Sequence, residues 1–113
     1  MKWLSIIASL MMAGCAGGHV RSTRELAEWT RCKPARLEFW LARNIWYTKD
    51  GHGDQWKSAQ RTLDERRGDC EDYAMVTSEV LSVCGYHPII LYGKHAWVDF
   101  EGGTFSNGQL KLK

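Results

Sequence analysis

A nine-residue stretch at positions 66–74, Arg-Arg-Gly-Asp-Cys-Glu-Asp-Tyr-Ala, most constrains what this chain can fold into. Asp69 is a residue type that caps helix N-termini, and after it apolar residues recur at helical spacing until a glycine ends the pattern. Those later positions are Tyr73, Val76, Val80, Leu81, Cys84 and Gly85. The pattern predicts an amphipathic helix whose first residue is Cys70.

Cys70 at a helix start is a candidate nucleophile. The unpaired N–H groups and the positive end of the helix dipole lower a thiol pKa. The carboxylates of Asp69, Glu71 and Asp72 act in the opposite direction, so a thiolate near neutral pH also needs a nearby imidazolium. His95 is the most plausible basic partner, because it follows in a strand a short distance along the chain.

The segment after the helix predicts strands of a small antiparallel sheet. Residues 88–92 form a short β-type run, and residues 95–100 alternate so that His95 lies on one face with Trp97 and Asp99. Asp99 is about 13 Å from His95 along the same strand, at ~3.3 Å per residue, and cannot easily orient the imidazole. A three-residue hairpin loop places Asn107 beside His95, whereas a two-residue loop at Gly102-Gly103 places Ser106 there.

Two helices are predicted before this region. Ser22 with Glu25 is a capping-box pattern that starts a first helix, which ends near Arg31. Pro34 suits the first turn of a second helix. Its apolar residues, which we assign to the core, are Leu37, Trp40, Leu41, Ile45 and Trp46. The polar, glycine-rich segment around His52 predicts a solvated surface loop rather than a metal cluster.

The N-terminal sequence predicts a targeting signal rather than part of the folded domain. Lys2 precedes an apolar run at residues 3–12, and small residues then lead to Cys15. The run is shorter than the roughly 20 residues that a membrane-spanning helix needs. We therefore predict a bacterial lipoprotein signal peptide at 1–14, lipidation at Cys15, a tether at 15–21 and one domain at 22–113. An ordinary secretory leader and a buried N-terminal helix are the alternatives.

The predicted lipoprotein signal indicates a cell-envelope protein that is anchored by lipid. Ala16, rather than Asp, follows Cys15, which favours the outer membrane with the domain facing the periplasm. Cys32 and Cys84 then remain as a candidate disulfide, and two unpaired buried thiols are the alternative. The net charge is +2 with the signs interspersed, so nothing indicates a nucleic-acid partner.

At its two motifs the sequence resembles the transglutaminase-like cysteine hydrolase superfamily, including its bacterial extracytoplasmic cysteine peptidase branch. The motifs are Arg-Gly-Asp-Cys-Glu-Asp-Tyr-Ala at 67–74 and His-Ala-Trp-Val-Asp at 95–99, with Trp56, Leu81 and Gly85 as further matches. The resemblance covers about residues 35–107. It implies a papain-like α+β core in which N-terminal helices and a nucleophile helix pack on a small antiparallel sheet.

The resemblance also implies roles for single residues. Cys70 is the nucleophile and His95 the base. Asn107 is the orienting residue, since no Asp follows Asp99. Trp56 is the oxyanion candidate. No cofactor is required, although calcium on Asp69, Glu71 and Asp72 is an alternative to a purely helix-capping role for these residues.

We therefore expect a cysteine hydrolase that cleaves amide bonds through a Cys-His-Asn acyl-enzyme mechanism. Its expected partners are a peptide or peptidoglycan-peptide substrate and, through the lipid, the membrane. The alternatives are protein-glutamine acyl transfer, a non-catalytic binding module of the same fold, and a structural lipoprotein with Cys70 in a disulfide. The sequence gives no oligomeric state.

Overall fold

The computed structural model describes residues 19–49 and 56–113, so the predicted signal peptide, Cys15 and His52 lie outside the described residues. In these two ranges the helices are α1 (Thr23–Thr30), α2 (Pro34–Asn44), α3 (Ala59–Glu65) and α4 (Cys70–Val83). The strands are β1 (Trp46–Tyr47), β2 (Arg67–Gly68), β3 (Ile89–Tyr92), β4 (Ala96–Phe100), β5 (Gly103–Ser106) and β6 (Gln109–Leu112). No helix in the described ranges is long and apolar enough to cross a membrane.

The predicted α+β class is confirmed. Strands β3 to β6 form an antiparallel sheet in sequence order, and β1 pairs with β2 in a separate, short parallel ladder. Helix α4 lies at the centre, because it packs on β4 and β5 on one side and against α1 and α3 on the other. This arrangement places the start of α4 next to β2, which leads directly into it.

The helix starts follow local capping chemistry. The Ser22 side chain accepts the N–H of Glu25 at 3.1 Å, as the capping-box pattern predicts. Pro34 is the first residue of α2, where its missing N–H costs no helical hydrogen bond. Gly85 follows the C-cap Cys84 with φ 89°, which ends α4.

The core lies between α4, the N-terminal helices and the sheet. Its side chains of zero exposure include Leu26, Trp40, Leu41, Val76 and Val98. Burying one such aliphatic side chain contributes about 1.5–3 kcal/mol to folding. The predicted aromatic stripe of α2 is therefore core at Trp40, but Trp46 is 76% exposed because the chain leaves α2 for β1 at that point.

Val20 and Arg21, at the end of the predicted tether, contact the folded residues of the domain. Val20 is buried at 4% exposure, and the Arg66 side chain donates to its carbonyl oxygen at 2.7 Å. Gln60 donates to the carbonyl oxygen of Arg21. The folded part of the described chain thus begins before Ser22, because an apolar Val20 side chain is available to fill the core.

A disulfide joins Cys32 to Cys84, with a Cα–Cα distance of 5.4 Å. Cys32 lies in the turn between α1 and α2, and Cys84 caps the C-terminal end of α4. The bridge therefore connects the N-terminal helices to the end of α4 that is far from Cys70.

The hairpin register corrects the prediction that Asn107 orients His95. Phe100 pairs with Gly103, so the β4–β5 loop has two residues, Glu101 and Gly102, instead of Gly102-Gly103. Asn107 then falls in the next turn, with φ 51°, and Gly108 follows with φ 78°. Positive φ at both central residues of a two-residue hairpin loop is typical of a type I′ turn, for which Asn-Gly is a preferred sequence.

Candidate active site

Cys70 is a free, half-buried thiol at the first position of α4, as predicted. Helix geometry leaves the first N–H groups without intrahelical acceptors, and these groups lie near the sulfur. The same positive helix end can stabilise an oxyanion that forms on a substrate bound there.

The carboxylates beside Cys70 are used by the helix cap. One oxygen of Asp69 accepts the N–H groups of Glu71 at 3.1 Å and Asp72 at 3.3 Å. One oxygen of Asp72 accepts the N–H of Asp69 at 3.0 Å, which completes the capping box. Their negative charge is thus partly compensated by backbone N–H groups.

This use of the carboxylates does not fit the calcium alternative. The Asp72 side chain is 3% exposed, and a calcium ion needs six or more oxygen ligands around it. Within the two described ranges, no three His, Cys, Asp or Glu residues are arranged to hold a metal ion. The acidic residues Asp69 and Asp72 therefore serve as caps.

His95 lies just before β4 rather than inside it. Its Nε2 atom is 2.7 Å from the hydroxyl oxygen of Ser106, the last residue of β5. Its ring also stacks on Trp97, with the ring centroids 6.2 Å apart and the planes at 14°. Two contacts thus fix the imidazole, and Ser106 takes the position predicted for Asn107.

The hydrogen bond to Ser106 involves Nε2 of His95, and which of the two atoms donates depends on the ring tautomer. A neutral imidazole that donates from Nε2 to Ser106 keeps a free lone pair on Nδ1, which can accept the thiol proton. No hydrogen bond joins Cys70 to His95 in the described part of the chain. Catalytic contacts in a substrate-free site are commonly loose and tighten when the substrate binds.

Asn107 faces a different part of the molecule. It is exposed and lines a groove of about 510 Å³ between α2 and the β5–β6 turn, together with Phe39 and Tyr73. The signal that identifies the correct residue is present in the sequence. An Asn-Gly pair flanked by alternating residues predicts a hairpin turn, which puts Ser106 at the end of a strand.

Trp56 lies against the end of β3. Its ring meets Tyr92 edge to face, with centroids 5.4 Å apart and an angle of 72°. Tyr92 precedes His95 by three residues, so this pair borders the loop that carries the base. Trp56 is 38% exposed and remains a predicted oxyanion donor.

Tyr47 is a site residue that the sequence did not reveal. It pairs with Gly68 across the β1–β2 ladder and stacks on Tyr73, with centroids 6.1 Å apart. Burial, and then the negative charges of Cys70 and Asp69, raise the pKa of Tyr47 above its ordinary value. The phenol of Tyr47 therefore lies within electrostatic range of Cys70. The short Trp46-Tyr47 β-type pair, which ends a helical pattern, carries no signal of this contact.

One comparison with known proteins gives a match. The model of the Transglutaminase-like superfamily matches residues 19–102, about three quarters of the chain. The matched range includes Cys70 and His95 and ends before Ser106. Neither a curated protein nor a solved structure matches the chain.

Proposed function

Since the chain belongs to the transglutaminase-like superfamily, we propose that it is a cysteine hydrolase that cleaves amide bonds through an acyl-enzyme. The observation that carries this proposal is the geometry around two residues. Cys70 is a free thiol at a helix N-terminus, and His95 is held by Ser106 through its Nε2 atom. A nucleophile, a base and a group that orients the base are the parts that such chemistry needs.

The reaction follows from these positions. Nδ1 of His95 takes the Cys70 proton, and the thiolate attacks the amide carbonyl carbon to form a tetrahedral intermediate. The backbone N–H of Cys70 and the indole N–H of Trp56 donate to its oxyanion. The C–N bond then breaks, and the imidazolium gives its proton to the leaving amine. Water, deprotonated by His95, attacks the thioester and releases the acid and the free thiol.

Ser106 contributes orientation without charge. Its hydroxyl holds Nε2 of His95 at 2.7 Å, but it adds no negative charge to stabilise the imidazolium.

The predicted cellular location suggests the substrate class. A lipid on Cys15 would place the domain in the bacterial cell envelope, at the outer membrane and facing the periplasm. Proteins and peptidoglycan stem peptides supply the amide bonds at that location. The same acyl-enzyme reacts with an amine instead of water in a transglutaminase, so the acceptor separates the two activities.

The experiment compares neighbouring substitutions in the purified protein. Peptide and stem-peptide hydrolysis is measured with and without a primary amine, together with the alkylation rate of Cys70 followed by mass spectrometry. We expect Cys70→Ala to abolish turnover and His95→Ala to lower it by roughly 10³-fold or more, because the base is lost. Ser106→Ala should lower kcat roughly tenfold, whereas Asn107→Ala, the matched control, should leave it unchanged.

Two results would contradict the proposal. If Cys70 alkylates no faster than an ordinary free cysteine and His95→Ala changes nothing, the domain is a binding module rather than an enzyme. If Asn107→Ala lowers kcat and Ser106→Ala does not, the assignment of the orienting residue is wrong. Incorporation of the amine in preference to hydrolysis identifies an acyltransferase.

A further inference from the structure

Lys57 lies near the start of α4, which carries Cys70, and the proposed reaction does not use it. Its ammonium nitrogen lies 2.8 Å from a Glu65 carboxylate oxygen, 3.0 Å from the carbonyl oxygen of Arg67 and 3.7 Å from Oδ2 of Asp72. The Lys57 side chain is only 13% exposed. The Lys57 ammonium is therefore less hydrated than that of a typical surface lysine, while its partner Glu65 is 29% exposed.

Asp72 is the most deeply buried partner of this cation, with its side chain 3% exposed. Its Oδ2 atom accepts the N–H of Asp69, but its Oδ1 atom is buried without a hydrogen-bond partner in the described part of the chain. Burial is the main cause that raises the pKa of Asp72, and the hydrogen bond from the N–H of Asp69 and then the charge of Lys57 act against that rise. A buried carboxylate that loses its cation takes up a proton or moves toward water. Either change weakens the capping box beside Cys70.

Lys57 also connects the chain segments that surround the site. Arg67, whose carbonyl oxygen it binds, belongs to β2, and β2 leads within three residues to Cys70. The residue before Lys57 is Trp56, whose ring meets Tyr92 on the His95 side of the site. One side chain thus joins the start of α4 to the segment that carries the oxyanion candidate.

We propose that Lys57 is a positioning residue, which holds Asp72 in the capping box and fixes β2 and Trp56 around Cys70. The proposal rests on the proposed function, because it assigns Lys57 a role in presenting the nucleophile. Lys57 does not touch the reacting atoms, so its effect is expected in the reactivity of Cys70 and in kcat rather than in KM.

The test uses the full chain with Lys57→Met, which keeps most of the apolar stem and removes the charge. Lys111→Met, on the exposed strand β6, is the matched control for loss of one positive charge. We expect Lys57→Met to lower kcat and the alkylation rate of Cys70 by iodoacetamide at pH 7 by roughly 10- to 100-fold, as small misplacements of reacting groups do. KM should change less than about threefold, and Lys111→Met should behave as wild type.

A double-mutant cycle shows whether Lys57 acts through Asp72. Asp72→Asn removes the charge that Lys57 compensates, so Lys57→Met should cost less kcat in the Asp72→Asn background than in wild type. Independent, multiplicative effects would overturn the proposal. So would a folded Lys57→Met protein whose Cys70 reacts as fast as in Lys111→Met. If Lys57→Met does not fold, the test uses Asp72→Asn alone. An unchanged alkylation rate of Cys70 in Asp72→Asn then overturns the proposal.

Failure of this proposal is distinguishable from failure of the proposed function. An ordinary wild-type thiol that is insensitive to His95→Ala refutes both. A reactive wild-type thiol with the expected loss in His95→Ala, but no effect of Lys57→Met, refutes the role of Lys57 and leaves the hydrolase proposal standing.

Discussion

Removal of the Cys32–Cys84 bridge should destabilise the fold strongly. The two residues are separated by 52 positions, and closing a loop of this length in the unfolded chain removes about 14 cal/mol/K of entropy, or about 4 kcal/mol at 25 °C. A domain of this size has a stability of roughly 5–15 kcal/mol in total. The Cys32→Ser/Cys84→Ser protein should therefore retain only part of the wild-type stability.

Urea unfolding measures this loss directly. With a slope of about 1–1.5 kcal/mol/M for a small domain, the midpoint should fall by roughly 3 M. Dithiothreitol should shift the wild type to the same midpoint, and it should not shift the double variant. Cys70→Ser is the control, since its sulfur is outside the bridge. The reasoning would be refuted if the double variant lost less than about 1 kcal/mol of unfolding free energy. It would also be refuted if dithiothreitol shifted the midpoints of both proteins equally.

Two further predictions concern the capping box of α4 and the dependence of folding stability on pH in acid. A Cβ at position 68 would overlap Cβ of Asp72, so Gly68→Ala should destabilise by about 1–3 kcal/mol, whereas Gly93→Ala meets no atom within 4 Å and should be neutral in urea unfolding. Equal midpoints for the two variants would contradict this. Hydrogen bonds from Lys57 and then from Arg61 lower the pKa of Glu65 from 4.5 to about 2. Its contribution to stability is thus complete above about pH 4.5 and is lost as the pH falls toward 2. Glu65→Gln should flatten the fall in stability over that window, and an unchanged pH profile would exclude this role.

The sequence predicted best those features that depend on neighbouring residues. The start of α4, the capping box of Asp69 and Asp72, and the glycine that ends the helix all involve contacts within a few positions. Side-chain spacing and capping chemistry determine such contacts before the chain is folded. This is why Cys70 could be placed at the first helical position from the sequence alone.

The orienting residue was harder to predict because it depends on register. A shift of one residue in a hairpin moves every side chain to the opposite face. The β4–β5 loop uses Glu101-Gly102, so Ser106 meets His95 and Asn107 enters the following turn. The Asn-Gly turn signal at 107–108 was the stronger constraint, and it outweighed the analogy that favoured Asn107.

The contacts of Lys57 and Tyr47 could not be predicted from local patterns. Lys57 meets Asp72 across 15 positions, and Tyr47 pairs with Gly68 through a ladder of only two residues. Neither contact follows a helical or strand period. Both arise because β2 and the start of α4 bring separate segments together.

These contacts change how the acidic residues beside Cys70 affect its thiol. Three carboxylates in four positions would suppress a thiolate if all of them were free charges in water. Asp69 and Asp72 instead accept backbone N–H groups, and Lys57 approaches Asp72 at 3.7 Å. Their field at the sulfur is therefore weaker than their number suggests.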